Sequence, residues 1–260
     1  MIRRKPPAIP PQPRTGLARA LSKLGYCSRA QAAELIRLGR VRLNGAVCRN
    51  PETPVVVSRD QIEIDGKGIR PAAKTYWMLN KPRGVVTTAS DEQGRETVYK
   101  YLPSAALQAH QSGGPWLAPV GRLDKASEGL LLFTNDSAWA ARITSPENHV
   151  NKTYHVQIAT APESDLLEKL RRGVRAAGGQ VLRVKNAEIL RQGEKTSWLT
   201  IVLDEGKNRH IRRIFEALGI EVLRLVRVAI GNLPLGDLPK GRCRQLTAAE
   251  VSSVASHRRL

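Results

Sequence analysis

The stretch GRLDKASEGLLLFTND, residues 121–136, decides how the centre of this chain is read. Its second half, residues 130–134, is an apolar run of strand length and reads as one buried strand. Asp136 or Ser137 then offers an N-cap for a helix over residues 138–143. The first half carries Arg122 and Asp124 in a short loop bounded by Gly121 and Gly129. Loops held by rigid strands are where catalytic groups concentrate. The same residues also fit a polar turn in which Asp124 caps a backbone amide, and the loop alone does not separate the two readings.

Outward from that strand, residues 76–80 read as another strand, ended by Lys81-Pro82-Arg83-Gly84, and residues 85–88 as a further one. Residues 104–115 read as loop. Residues 153–158 and 198–203 alternate as strands, and residues 163–172 form a helix. A helix over 207–218 buries Ile211, Ile214, Phe215 and Leu218, which share one face. Strands and helices mixed without strict βαβ order predict an α+β fold, and no internal repeat is present.

Upstream, Leu17, Leu21 and Leu24 form one helix face, closed by Gly25. Ser28-x-x-Gln31 opens a second helix as a capping box, with Ala32, Leu35 and Ile36 inward. Val41-Arg42-Leu43 with Asn44-Gly45 reads as a strand and hairpin turn, and residues 61–66 as an alternating strand and turn. Arg19, Lys23, Arg29, Arg37, Arg40 and Arg42 fall off the apolar positions. Residues 1–14 hold five prolines and four basic residues and read as an extended, disordered arm. Residues 67–75 read as a linker. The expected organisation is a basic arm (1–14), a small module (15–74), a larger domain (75–250) and a basic tail (251–260).

Charge narrows the partners. The 260 residues carry 42 Lys+Arg against 23 Asp+Glu, a formal charge of +19 spread along the chain. Such a surface attracts polyanions, and nucleic acid is favoured because no segment looks built for lipid. No apolar run approaches the roughly 18 residues of a membrane helix. The basic N-terminus has no apolar core of a secretory signal. Cys27, Cys48 and Cys243 lie far apart with no C-x-x-C pair, so no zinc site or disulfide framework is expected, and a reducing cytoplasm fits best. The five histidines show no metal spacing, and no metal is expected.

Two further segments carry candidate chemistry. Residues 204–213 (DEGKNRHIRR) place Lys207, Arg209, Arg212 and Arg213 at the start of the 207–218 helix. Cations there oppose the helix dipole, which argues for a phosphate or carboxylate partner, although a solvated basic face fits as well. Asn151-Lys152-Thr153-Tyr154 offers Tyr154 as a stacking platform for a base or, more plainly, as a core tyrosine. Asp136 reads as a helix cap rather than a second acid. Arg171, Arg172, Arg175, Arg183 and Lys185 form a basic patch that fits RNA contact and a solvated face equally.

The run LARALSKLGYCSRAQAAELIRLGRVRLNG resembles an S4 RNA-binding module, which implies recognition of RNA by shape and phosphate, with Arg29 and Arg40 among the contacts. GRLD-x-x-SEGLLL-x-T-ND, the K-T-Y that follows, EGKNRHIRRIFEALG, the strand YWMLNKPRGVVTT and Arg224–Val228 with I-G-N-L-P-L-G together resemble the RsuA/RluB-type family of ribosomal pseudouridine synthases, over residues 15–250. Ser137 departs from the glycine common in that family after Asn-Asp.

The resemblance implies a mixed, mainly antiparallel sheet with flanking helices behind the small module, the pseudouridine synthase fold. It implies isomerisation of uridine in ribosomal RNA with Asp124 as the catalytic carboxylate. That carboxylate either attacks C1′ or removes the C2′ proton. Arg212 matches the arginine that pairs with this Asp and keeps it charged and oriented. Tyr154 matches the tyrosine that stacks on the target base, and Arg122 the arginine that fills the gap left by the flipped nucleotide. Lys152, Lys207 and Arg209 are candidates for phosphate contact. No cofactor is expected, because the isomerisation has no redox step, and a monomer acting on ribosomal RNA or an assembly intermediate is expected. The GRLDKASEGL and GKNR stretches favour large-subunit rRNA. R-I-T-S-P and K-T-Y point to the small-subunit alternative, and a non-catalytic RNA-binding assembly protein is the rival outside enzymes.

Overall fold

A computed structural model of the chain describes residues 14–89, 91–104, 106–107 and 116–255. All of the expected N-terminal arm but Arg14, most of the 104–115 loop and residues 256–260 lie outside the described residues. The described chain forms two compact units, one up to Ala73 together with Trp116, the other Lys74–Leu107 with the residues from Leu117 on.

In the first unit, α1 (Leu17–Lys23) and α2 (Arg29–Arg37) pack over a four-stranded sheet. The Ser28 hydroxyl accepts from the Gln31 N–H at 3.2 Å, and the Gln31 side chain accepts from the Ser28 N–H at 3.0 Å. This reciprocal cap starts α2 where the sequence places it. The strands are β1 (Val41–Leu43), β2 (Ala46–Cys48), β3 (Ile62–Ile64) and β4 (Lys67–Gly68), in the order β2-β1-β3-β4. Asn44-Gly45 and Asp65-Gly66 both have positive φ at each position, the backbone a tight antiparallel hairpin needs. The expected linker at 67–75 therefore begins as a strand: the Asp65-Gly66 turn folds Lys67 back onto Ile64. Leu17, Leu21, Ile36, Val41 and Ile64 form the core, which leaves Arg19, Lys23, Arg29, Arg37 and Arg42 exposed. The Trp116 N–H donates to the Gly25 carbonyl at 2.6 Å, a tie between sequence-distant segments that no local pattern announces.

The second unit is built on a nine-stranded sheet. Its strands are β5 (Tyr76–Lys81), β6 (Ala118–Val120), β7 (Glu128–Thr134), β8 (Lys152–Ile158), β9 (Asn186–Gln192), β10 (Ser197–Leu203), β11 (Val222–Ile230), β12 (Leu233–Pro234) and β13 (Cys243–Gln245). The main order is β9-β10-β8-β11-β7-β5-β13, with β6 on β7 and β12 on β11. Only the β11–β7 pairing is parallel. This is the mixed, mainly antiparallel α+β architecture expected.

Every residue of β7 is buried, because both faces of the strand are covered. Leu130 and Leu132 pack with Trp139 and Ile143 of α3 (Ser137–Thr144). Leu131 and Phe133 pack on the other side with Leu79, Val85, Val98 and Leu102. Asp136 caps α3 by accepting from the N–H groups of Ala138 and Trp139, and it also takes Tyr76 Oη at 2.9 Å and Lys74 Nζ at 2.8 Å. Its carboxylate is consumed structurally, as a cap.

Several boundaries differ from expectation. Residues 85–88 form no strand; Val86 makes a single bridge to Thr97, since Val85 turns into the core and Thr87 spends its hydroxyl on Leu123. The helix α4 (Leu166–Arg172) starts later than residue 163. The helix α5 is His210–Ala217, because Arg209 takes a left-handed φ of 47°. Lys207 and Arg209 are thus loop residues in front of the helix. The last helix, α6 (Ala248–Ala255), runs through the limit expected at residue 250.

At Gly129 the sheet demands glycine. Its φ is +101°, and a Cβ there would overlap the backbone carbonyl of Arg227 on the parallel neighbour. Gly129→Ala is expected to lower stability by about 2–3 kcal/mol, through strain at positive φ and the displaced strand. Urea unfolding checks this, and an unchanged midpoint would contradict the stated fit.

Candidate active site

Strand register assembles a row of polar groups across one face of the sheet. Lys81 of β5 faces Gly129 of β7, Gly129 faces Arg227 of β11, and Arg227 faces Tyr154 of β8. Directly opposed residues share a face. The row thus sets two buried cations, Lys81 and Arg227, on either side of a residue with no side chain.

Above the row lies the loop of Arg122 and Asp124, held by three side chains that the sequence reading did not single out or assigned otherwise. Lys81 is fully buried and its Nζ donates to the carbonyls of Ser127 (2.8 Å), Asp124 (3.1 Å) and Pro82 (3.1 Å). Burial pushes its pKa down to about 8, against the pull of the Asp124 and Glu128 carboxylates. Thr87 Oγ1 donates to the Leu123 carbonyl at 2.8 Å and accepts from the Leu123 N–H at 3.3 Å. Arg212 Nη2 donates to the Ala126 carbonyl at 3.0 Å, and Nη1 to the Val222 carbonyl at 3.4 Å.

That last geometry corrects an expectation. Arg212 makes no ion pair with Asp124 among the described residues; its guanidinium is committed to two backbone carbonyls instead. Burial lowers its pKa, as does neighbouring Arg209, while the charge of Asp124 opposes them, so the two groups still feel one another. Arg212 thus acts on the loop's backbone.

Next to the loop, Glu128 is buried and meets Arg224 at 3.1 and 3.2 Å and Lys240. Burial would raise its pKa, but the two cations hold it below the usual carboxylate value. Arg224 in turn lies over the Trp198 ring, 5.5 Å from its centroid. This network pins the start of β7 from outside the row.

Asp124, Arg122, Lys152, Tyr154, Lys207 and Arg209 all line one cleft of about 280 Å³, with Ser127 and Arg227. Asp124 is half-buried, and its carboxylate accepts no hydrogen bond from a described side chain or amide. The Asp124-capped polar turn is therefore not what forms; it is the backbone carbonyl of Asp124 that accepts, from the Ser127 N–H at 3.0 Å. Tyr154 is also half-buried; it packs against two apolar clusters, as a core tyrosine would, and it lines the cleft as well.

Among the cations, Arg122, Lys152 and Arg209 make no ion pair with a described residue, while Lys207 pairs with Glu205 at 2.8 Å. Burial lowers the pKa of Lys152, with the Arg227 charge adding to it. Arg29 and Arg40 lie on the first unit, where Arg29 is exposed and Arg40 is clamped by Asp65 through Nε at 3.0 Å and Nη2 at 2.5 Å. Arg40 is thus less free for phosphate than its sequence position implies. No group of His, Cys, Asp and Glu that could hold a metal ion occurs among the described residues. No described helix is long and apolar enough to cross a membrane.

Lys81 and Arg227 had a faint signal in the sequence. Trp77, Leu79 and Lys81 alternate onto one face of their strand, as do Leu225 and Arg227, so each cation sits where an apolar residue is due. A charge at a core position implies a partner.

The sequence and fold are similar to those of known proteins. A sequence model of the family described as RNA pseudouridylate synthase matches residues 75–217, and one described as S4 domain matches residues 15–62. Ribosomal large subunit pseudouridine synthase B of Bacillus subtilis (strain 168) is 37% identical over 240 residues, which cover 92% of this chain and 94% of that protein. The protein of the same name from Shigella flexneri is 33% identical over 246 residues, covering 91% and 81%. A solved structure described as a crystal structure of pseudouridylate synthase matches with a TM-score of 0.63 at 29% identity, over 92% of this chain and 99% of that one.

Proposed function

The chain belongs to the RNA pseudouridylate synthase family, and from that premise we propose that it isomerises a uridine of large-subunit ribosomal RNA, with Asp124 as the catalytic carboxylate. The observation that carries this reading is the carboxylate of Asp124, unpaired on a backbone-tethered loop at a cationic cleft. The large subunit is favoured because the relatives from two organisms, each aligned over most of this chain, are named for it.

The target uridine must leave its stack to bring C1′ and C5 to Asp124. Tyr154 offers its ring to the everted base, and Arg122, exposed at the rim, is placed to occupy the gap left behind. Asp124 then serves as nucleophile at C1′ or as base at C2′. Lys152 and Arg209 hold flanking phosphates. The exposed arginines of the first unit supply a sequence-independent grip on RNA.

Tritium release from C5-labelled uridine in deproteinised ribosomal RNA tests the reaction. Mapping pseudouridine in both subunits of a deletion strain tests the target: one missing large-subunit site is expected, and a missing small-subunit site alone would overturn the assignment. The grip is tested separately. Replacing Arg19, Arg29, Arg37 and Arg42 together by Gln is expected to flatten the slope of log affinity against log salt by about 0.7–0.9 per lost phosphate contact. An unchanged slope would remove this face from RNA binding.

A further inference from the structure

Arg227 has no assigned part in the reaction, yet it is a buried cation in the cleft. It is 5% exposed, and its Nε donates to the Leu130 carbonyl at 2.8 Å. Its Nη2 is buried with no hydrogen-bond partner, and no carboxylate of a described residue pairs with it. The side chain lines the same cleft as Asp124 and Tyr154. Ser127 Oγ, in the same lining, is likewise buried without a partner.

A buried guanidinium with an idle donor is costly unless something arrives to take it. Nε fixes the fork by its bond to Leu130, which leaves Nη2 held in place rather than mobile.

We propose that Arg227 is a base-recognition residue, whose Nη2 donates to a ring carbonyl oxygen of the everted uracil on the floor of the cleft. The inference rests on the isomerase reading and deepens it. Uracil presents carbonyl oxygens at C2 and C4 and can satisfy the orphan donor. Cytosine carries an amino group at C4, which would set donor against donor if O4 is the oxygen bound.

The same contact assists bond breaking. When C1′–N1 cleaves, the bonding electron pair stays with the base, and the negative charge spreads over N1, O2 and O4. A fixed guanidinium donor at one of those oxygens stabilises the anion more than the neutral base. The C5 carbon then bonds to C1′ as Asp124 leaves C1′ or returns its proton to C2′; the C5 proton is lost to solvent, and N1 takes up a proton in exchange. This holds whether Asp124 attacks C1′ or takes the C2′ proton.

The test uses the full chain and an RNA stem-loop carrying the mapped target uridine, or 4-thiouridine or 2-thiouridine in its place, since sulfur accepts hydrogen bonds poorly. Arg227→Gln is expected to slow single-turnover isomerisation of the uridine substrate by about 10²-fold, with RNA affinity and melting temperature little changed. The wild type is expected to lose rate on one of the two thio substrates, and Arg227→Gln to show no further loss on that one. A variant at full rate, or one that responds to both thio substitutions as the wild type does, would overturn the proposal. If Arg227→Gln does not fold, Arg227→Lys keeps a buried cation without the fixed fork, and the same comparison applies. An inert wild type on the uridine stem-loop would overturn the isomerase reading itself, a distinct result.

Discussion

Asp124→Asn is expected to abolish pseudouridine formation, a loss of about 10³-fold or more, while leaving RNA affinity and folding near the wild-type values. The amide is neutral, and it can neither attack C1′ nor take the C2′ proton, so both routes lose their reacting group. The fold, by contrast, uses only the backbone of Asp124, through its carbonyl bonds to Lys81 Nζ and the Ser127 N–H. Because its carboxylate has no ion pair among the described residues, removing the charge should shift stability by no more than about 0.5 kcal/mol. Tritium release, RNA affinity and thermal melting measured on one preparation separate these effects. Full tritium release by Asp124→Asn would sink the mechanism, and a large drop in melting temperature would show that the carboxylate is structural.

Lys81→Met carries the second large expectation, and it acts through position. The ammonium donates to the carbonyls of Asp124 and Ser127, which bracket the loop. Methionine fills the same channel without a donor: the Ser127 and Pro82 oxygens are stranded, and the Asp124 oxygen keeps only the Ser127 N–H. At about 1–3 kcal/mol for each stranded buried acceptor, a loss of about 2–4 kcal/mol in stability is expected. The loop would relax by a fraction of an ångström to an ångström, enough to cost about 10²-fold in the rate of the bound complex. A loss in kcat with RNA affinity retained marks the positioning role; a loss confined to affinity would contradict it.

The sign of the pH dependence follows from the same burial. Burial pushes the Lys81 ammonium down to about 8 in the fold, against an ordinary value of 10.5. Between those two values the unfolded chain binds more protons than the folded one. The contribution of Lys81 therefore makes the fold more stable as pH rises through that window, and its penalty is fully present below about pH 8. Urea unfolding at several pH values from 7.5 to 10 should show the wild type gaining on Lys81→Met as pH rises. Parallel curves would mean that Lys81 keeps its ordinary affinity for the proton.

Much of the small unit was legible because its signals are local. The Ser28–Gln31 cap, the Asn44-Gly45 turn and the leucine spacing of α1 each lie within a few residues, and each forms as written. The strand through Leu130–Phe133 and the apolar face of α5 were legible for the same reason. The failures were equally physical. Residues 85–88 have strand composition, but Thr87 is claimed by Leu123, a tertiary partner. The N-terminus of α5 slipped because Arg209 adopts a left-handed backbone that helix periodicity does not register. The pairing of Arg212 with Asp124, implied by family resemblance, gives way to bonds from Nη2 to Ala126 and Nη1 to Val222, which turn those two donors onto backbone carbonyls.

By itself the sequence determined most of the elements, the excess of positive charge and the loop in which Asp124 would stand, because composition, helical period and turn chemistry act over short separations. Only the tertiary structure decided what surrounds Asp124. Lys81, Gly129, Arg227 and Tyr154 become neighbours through strand register, one pairing of it parallel, across segments far apart in the chain. Register is a property of whole strands choosing partners, and no window of sequence contains it.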